Sequence, residues 1–98
     1  MNVVSKGGLQ DLLKGKSSDV AQEAFAWHKT ARAAVWMSLE DVRRQFPDAD
    51  QFRKVLIFNI RHNRYRLIVF AVFPKQKLYV KPLLTHREYD RKEWYKWA

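Results

Sequence analysis

The sequence predicts an α+β fold in which N-terminal helices pack against a small antiparallel β-sheet. Hydrophobic residues recur at a period near 3.6 in the first half of the chain, as they do along amphipathic helices. After residue 52 the pattern changes to nearly continuous β-branched and aromatic runs, which are typical of buried strands: KVLIFNI, YRLIVFAVF and LYVKPLL. The separators RHNR and PKQK are short and rich in turn residues, so these three strands are expected to form antiparallel hairpins.

Length and composition predict one compact domain covering residues 1–98. Hydrophobic residues make up 47% of the 98 residues, which is enough for one core but not for two of ordinary size. No apolar run approaches the ~20 residues of a membrane helix, and the N-terminus lacks the layout of a secretory signal, so a cytoplasmic protein is expected. Because the chain has no cysteine and its three histidines lie far apart, neither a metal nor another cofactor is expected.

The first half of the chain predicts a short edge strand at residues 2–5 followed by helices. Three leucines at helical spacing form the first of these: Leu9, Leu12 and Leu13. The longest helix begins after Ser17 or Ser18, either of which is a suitable N-cap. Its apolar stripe comprises Val20, Ala24, Trp27, Ala31 and Val35. His28 lies beside this stripe, where packing is a better interpretation than catalysis.

A third, short helix begins after Ser38 and ends near Phe46, because Pro47 disfavours helical geometry at the residue before it. The middle one of the three strands has continuous apolar character, which predicts a central position with helices against one face. The C-terminal segment DRKEWYKWA is expected to add a last helical turn.

The positive charge lies in the second half of the chain. Residues 1–52 carry seven Lys or Arg and seven Asp or Glu, whereas residues 53–98 carry twelve and three, a net charge of +9. Such clustered cations favour a polyanionic partner, because binding releases the counterions that are condensed on phosphates. The alternative is a solvated face that only keeps a small protein soluble.

The expected strand register brings polar residues together around Arg66. If RHNR closes the first hairpin, Ile60 faces Tyr65 and Asn59 pairs with Arg66. If PKQK closes the second, the same count pairs Arg66 with Thr85. Strands lie ~4.8 Å apart, so Arg66 would share one phosphate with both neighbours and with the residues that follow Thr85.

Arg66 is the strongest candidate for a functional residue. An arginine within an apolar strand is costly to bury unless it is paired or faces a ligand. An ion pair with Glu88 or Asp90 is the structural alternative. His86 and Tyr89 lie just beyond the strand, within the sequence THREYD.

Several cations are predicted to contact RNA phosphates without reading sequence. Those at the hairpin tips are Arg61, Arg64, Lys75 and Lys77. Lys81 lies within a strand, on the side of Tyr79 and Leu83 by simple alternation. Pro82 removes one ladder hydrogen bond and indicates an edge or a bulge there.

These groups suit cleavage of an RNA strand by attack of a 2′-hydroxyl on its neighbouring phosphate. The reaction needs a base, an acid and cations that stabilise the charge gathering on the phosphorane. His86 could serve as acid or base, since the ordinary pKa of histidine is about 6.5. Tyr89 could stack on a base or donate a proton, and Arg66 could hold the non-bridging oxygens.

The runs FNIRHNRYRLIVFAVF and LYVKPLLTHREYD, with FPDADQF and VVSKGGLQDLL before them, resemble the HigB group of bacterial toxins in the RelE superfamily of ribosome-dependent mRNA interferases. The patterns F-N-x-x-x-N-x-Y-R-L and T-H-x-E-Y-D carry this resemblance in combination. It implies a RelE-like fold, with helices on a twisted antiparallel sheet, and a cognate antitoxin. It also implies metal-free cleavage of mRNA in the ribosomal A site, which inhibits translation.

The resemblance also implies roles for individual residues. The arginine of YRL falls on Arg66, and the histidine and tyrosine of THxEYD fall on His86 and Tyr89. Either Arg87 or, with a shift of one residue, His86 corresponds to a further arginine of RelE. RelE bears two lysines on the strand before YRL, where this sequence has Ile57 and Asn59, so a lysine base is not available there. Asn59 and Arg87 are expected to contact RNA.

Alternatives from other classes remain open. One is a non-catalytic RNA- or DNA-binding module, such as a degenerate toxin that acts only with its antitoxin in promoter repression. Whether the toxin is active or degenerate, contact with operator DNA is expected only through the antitoxin. Another is a protein-interaction domain whose basic face meets an acidic partner.

Overall fold

The computed structural model describes residues 1–61 and 64–98. In chain order the elements are β1 (Asn2–Ser5), α1 (Leu9–Leu12), α2 (Ser18–Ala33), α3 (Leu39–Gln45), β2 (Asp50–Phe52), β3 (Val55–Ile60), β4 (Tyr65–Val72), β5 (Lys77–Thr85) and α4 (His86–Asp90). Short 3₁₀ turns follow β4 at Phe73–Lys75 and α4 at Glu93–Trp97. The predicted α+β class is confirmed. His62 and Asn63, which belong to the predicted RHNR turn, lie outside the described residues.

The described strands form one sheet in the order β1-β5-β4-β3-β2. β4 is central and β1 is an edge strand, as the sequence predicts. β1 pairs with β5 in parallel and the remaining pairs are antiparallel. The sequence missed β2, which has only three residues and pairs with β3 alone on this edge of the sheet.

The predicted register is correct for one hairpin and wrong for the other. Asn59 pairs with Arg66 across β3 and β4, as expected. Across β4 and β5, however, Arg66 pairs with Leu84 and not with Thr85. β4 ends at Val72, because the residues after it form a 3₁₀ turn with a proline near its start. This turn moves the hairpin loop one residue towards the N-terminus, which by itself would pair Arg66 with Leu83, and an extra residue in β5 at Lys81 and Pro82 shifts the partner to Leu84.

A β-bulge interrupts the β4–β5 pairing at the proline of β5. Val69 pairs with Val80 and Leu67 pairs with Leu83, so Lys81 and Pro82 together oppose Ile68. The bulge that Pro82 predicts is confirmed. The bulge also reverses the alternation of side chains, so the prediction that Tyr79, Lys81 and Leu83 share a side is wrong. Leu83 faces the N-terminal helices, whereas Tyr79 contacts Phe70 on the opposite face.

The larger core lies between the N-terminal helices and one face of the sheet. Four residues of the predicted α2 stripe are buried here: Val20, Ala24, Trp27 and Ala31. Val35 is 74% exposed because α2 ends at Ala33, so its assignment to this stripe is wrong. Trp27, Trp36 and Phe46 surround Phe58 of β3 with ring centroids 5.2 to 6.1 Å from its own.

A smaller core covers the other side of the sheet, which we call the C-terminal face and which carries Val55, Ile57, Arg66 and Ile68. Trp94, in the turn after α4, packs on Val55, Ile57 and Ile68. The predicted last helical turn is therefore present, as a 3₁₀ turn. Within the described residues no helix is long and apolar enough to cross a membrane.

Candidate active site

Arg66 lies near the start of the central strand, on the C-terminal face. Its cross-strand neighbours are Asn59 on β3 and Leu84 on β5. The Arg66 side chain is partly exposed, in contrast to the fully buried Leu67 and Ile68 that follow it. The strand thus holds a guanidinium group at the boundary between the smaller core and solvent.

Tyr89 packs directly against Arg66. The guanidinium carbon of Arg66 lies 5.3 Å from the centroid of the Tyr89 ring, within the range of a cation–π contact. The Tyr89 ring stacks on Trp94 at 5.1 Å with an angle of 9° between the planes. The indole N–H of Trp94 also donates to the Tyr89 carbonyl at 2.9 Å. Both contacts fix the position of the phenol relative to Arg66.

The environment of Tyr89 keeps its phenol protonated. Partial burial raises the pKa of Tyr89 above its ordinary value of 10.0, and the nearby Arg66 guanidinium opposes this effect. At neutral pH the phenol is therefore a hydrogen-bond donor and a source of a proton, not a base.

A capping box fixes the start of α4 immediately after β5. The Thr85 hydroxyl accepts a hydrogen bond from the Glu88 N–H at 3.2 Å, and the Glu88 carboxylate accepts one from the Thr85 N–H at 2.9 Å. This second bond is the main reason why the pKa of Glu88 is lowered from 4.5. The chain therefore turns from strand to helix at a defined residue, which places His86 in the first helical position.

His86 is hydrogen-bonded to Asp90 on the same side of α4. The imidazole Nδ1 lies 3.1 Å from Asp90 Oδ2, and the two side chains are 58% and 62% exposed. Residues separated by three and four positions are neighbours on a helix surface, so Tyr89 lies on this side as well. α4 therefore carries the imidazole of His86 on the same side as the phenol of Tyr89, and the phenol contacts the Arg66 guanidinium.

The other predicted RNA contacts are distributed unevenly over the molecule. Asn59 lies beside Arg66, and both Arg64 and Arg87 are exposed. Arg61 instead contacts α2, because its guanidinium pairs with Asp19 at 3.1 Å and its N–H donates to Glu23 at 2.8 Å. The prediction that Arg61 faces an RNA phosphate therefore finds no support in its contacts.

The second hairpin tip lies at the other end of the sheet. Lys77 pairs with Val72, six residues along β4 from Arg66. At ~3.3 Å per residue this corresponds to roughly 20 Å, and Lys75 lies in the turn beyond. Lys81 occupies the bulge between these two ends. Lys75 and Lys77 therefore do not converge on the phosphate that Arg66 would bind, whereas Lys81 lies opposite Ile68, two residues along β4 from Arg66.

Two supporting features escaped the sequence analysis. The stacking of Trp94 under Tyr89 depends on a turn whose path no local pattern predicts. The bond between His86 and Asp90 could have been found from their spacing of four residues, and the capping box from the T-x-x-E pattern that begins at Thr85. Outside His62 and Asn63, no group of three or more His, Cys, Asp or Glu side chains is placed to hold a metal ion.

The chain matches a known family over most of this architecture. A model of the HigB toxin family, the RelE-like toxic component of a toxin-antitoxin system, matches residues 20–92. The chain belongs to the HigB toxin family. Its membership confirms the resemblance seen in the sequence and the RelE-like fold, and it implies a cognate antitoxin as partner.

Individual HigB proteins are similar over nearly their whole length. The mRNA interferase toxin HigB of Escherichia coli K12 is 30% identical over 90 residues, which cover 81% of this chain and 86% of that protein. The mRNA interferase HigB of Escherichia coli O6:H1 is 24% identical over 94 residues, which cover 93% of this chain and 90% of that protein. These relatives are mRNA interferases, and therefore endoribonucleases, which is the class of enzyme that the sequence predicts.

Proposed function

We propose that this HigB-family toxin is a ribosome-dependent endoribonuclease that cleaves mRNA in the A site and thereby inhibits translation and growth. The 2′-hydroxyl of one nucleotide attacks the neighbouring phosphate, which leaves a 2′,3′-cyclic phosphate and a free 5′-hydroxyl. The observation that carries this proposal is the contact between Arg66 and Tyr89, next to the exposed His86 on the same helix.

Arg66 holds the non-bridging oxygens of the phosphate in this mechanism. Its planar guanidinium group can donate two parallel hydrogen bonds to a phosphate. Tyr89 and the sheet fix the orientation of Arg66 before substrate arrives, so little reorganisation is needed as negative charge develops on the phosphorane.

His86 acts as the general base. A neutral imidazole that donates from Nδ1 to Asp90 has its lone pair on Nε2, which can take the proton of the 2′-hydroxyl. The two positions that hold lysines in RelE support this assignment, because Ile57 is only 4% exposed and Asn59 has no basic group.

Tyr89 acts as the general acid. Its raised pKa keeps the phenol protonated, and its hydroxyl can donate to the leaving 5′-oxygen. Asn59, Arg64 and Arg87 position the RNA backbone around this centre. The antitoxin blocks part of the same basic surface, and operator DNA is contacted only through the antitoxin.

The test is to incubate the purified protein with end-labelled mRNA, free and on programmed bacterial ribosomes, with chelator present. We expect cuts at the A-site codon on ribosomes only, and loss of these cuts in Arg66→Ala and His86→Ala. Arg32→Gln is the matched control, because it removes an exposed cation from α2 on the opposite side of the sheet. Intact mRNA with a folded wild-type protein that still binds RNA would instead favour the non-catalytic binding module.

A further inference from the structure

A cavity of about 320 Å³ lies at the end of the sheet remote from His86. The turn at residues 53–54 and the last residues of β4 form its walls. Phe70, Phe73 and Pro74 supply apolar rings, and Arg53 and Lys54 supply positive charge. Rings beside cations are the combination that binds nucleotides of single-stranded RNA, since every base has a face that can stack.

Phe70 connects this cavity to the C-terminal face. Its ring lies 6.3 Å from that of Tyr79 on β5, and both side chains are partly exposed. Phe70 is four residues from Arg66 on the same face of β4, or ~13 Å at 3.3 Å per residue. Stacked nucleotides rise ~3.4 Å each, so a strand of about four nucleotides could extend from Arg66 to this cavity.

The course of such a strand is restricted by the C-terminal segment. Trp94 packs against Phe52 of β2, Ile57 of β3 and Ile68 of β4, so the face is covered as far as the middle of the central strand. On β5, Tyr79 and, at the bulge, Lys81 are partly exposed. The strand would therefore run from Arg66 over β5 to Phe70.

The backbone of Arg53 is a second, independent observation. Arg53 has a φ of 54°, in the left-handed region where glycine is the least strained residue. Its guanidinium carbon lies 5.1 Å from the centroid of the Phe52 ring, and the side-chain amide of Gln51 donates to its carbonyl at 2.8 Å. A cation therefore occupies a turn position at which its backbone conformation is unfavourable.

We propose that this cavity is a second RNA subsite, in which Phe70 stacks on a base of the mRNA a few nucleotides from the scissile phosphate while Arg53 and Lys54 bind the adjoining phosphates. This inference rests on the proposed function for the identity of the strand. It extends that function by giving the enzyme an mRNA contact outside the cleaved codon.

The first experiment measures binding to an oligonucleotide that this reaction cannot cleave. Fluorescent single-stranded 2′-O-methyl RNA is titrated with wild type, with Arg53→Gly/Lys54→Gln and with Lys29→Gln/Arg32→Gln, over a range of salt concentrations. Each pair of substitutions removes two exposed cations, but Lys29 and Arg32 lie on α2, across the sheet. The loss of two phosphate contacts in Arg53→Gly/Lys54→Gln should reduce the magnitude of the slope of log affinity against log salt concentration by about 1.4. The slope of the control variant should not change.

The variant Arg53→Gly/Lys54→Gln also distinguishes an effect on RNA binding from an effect on stability. Glycine relieves the left-handed backbone at position 53, so the melting temperature should stay level or rise while affinity falls. Equal slopes for the two double variants would overturn the subsite.

The second experiment locates the base. A single abasic nucleotide is moved along an mRNA on programmed ribosomes, and cleavage by wild type is compared with cleavage by Phe70→Leu. At one position outside the codon, an abasic nucleotide should slow cleavage by wild type about fivefold or more. Phe70→Leu should cleave intact mRNA slowly, and an abasic nucleotide at that position should not slow it further. Equal sensitivity of both proteins at every position would overturn the subsite. Absence of cleavage by wild type, with the difference in salt slope retained, would contradict the proposed function instead.

Discussion

The two faces of the sheet differ in the side chains that they carry and in how deeply those side chains are buried. The face under α2 and α3 is closed by aromatic and aliphatic side chains, and the helices that cover it belong to the half of the chain with no net charge. The C-terminal face buries only Val55, Ile57, Ile68 and Trp94 fully among the described residues. The rest of this face is partly exposed and carries Arg66.

This difference separates the residues that stabilise the fold from those of the proposed active site. Fully buried side chains on one face supply most of the hydrophobic free energy, since that energy scales with the apolar area removed from water. The opposite face can then keep a guanidinium, an imidazole and a phenol at the surface, where substrate can reach them. Substitutions on the two faces should therefore fail in different assays.

The largest effect on stability is expected for Phe58→Ala. Phe58 is 1% exposed and contacts three aromatic rings, so its truncation leaves a cavity and should lower the free energy of unfolding by about 3–5 kcal/mol. Urea denaturation measures this change. Phe70→Ala on the C-terminal face is the matched control, with an expected loss of less than half as much, because Phe70 is only partly buried. Equal losses would contradict the inference that the face under α2 and α3 supplies most of the stability.

His86→Ala should have the converse effect. Removing the proposed general base should lower the rate of cleavage on programmed ribosomes by about 100-fold or more. The free energy of unfolding should change by less than about 0.5 kcal/mol, because the side chain is 58% exposed. A variant that is unfolded, or one that cleaves at the wild-type rate, would show that His86 has another role.

Tyr89→Phe sharpens the assignment of the acid. The ring, its stacking on Trp94 and its contact with Arg66 are retained, and only the hydroxyl is lost. If the phenol protonates the leaving oxygen, single-turnover cleavage should slow by about 100-fold with unchanged binding to ribosomes. A change of less than about threefold would reduce Tyr89 to a stacking residue and leave the identity of the acid open.

The sequence predicts those features of the site that depend on residues close together in the chain, and it misses those that depend on distant residues. The pairing of Asn59 with Arg66 follows from a hairpin closed within a few residues, and it was predicted correctly. The pairing of Arg66 with Thr85 was wrong because Phe73 has the composition of a strand residue but starts a 3₁₀ turn, and the bulge at Pro82 offsets only half of the resulting shift in register. The parallel pairing of β1 with β5 joins residues more than seventy positions apart, beyond the reach of any local pattern.

A smaller effect, dependent on pH, is expected at the capping box of α4. Because the pKa of Glu88 is lowered in the folded state, its carboxylate stabilises the fold above the ordinary value of 4.5. That stabilisation is lost as pH falls through the lowered pKa of the folded state. The difference in unfolding free energy between wild type and Glu88→Ala should thus be constant above pH 5 and shrink on acidification. Glu93→Ala, which removes an exposed acid from the following turn, is the control and should show a smaller dependence on pH.

The smallest effect is expected where the first hairpin meets α2. The ion pair between Arg61 and Asp19 is 3.1 Å long, but the two side chains are 35% and 49% exposed, so solvent screens the attraction. Asp19→Asn should lower the unfolding free energy by no more than about 1 kcal/mol, and less in high salt. We also expect cleavage to be unchanged, because the contacts of Arg61 are with Asp19 and Glu23 of α2. If Asp19→Asn instead increased RNA affinity, Arg61 would have to be released from α2 to bind a phosphate, and its place among the RNA contacts would be restored.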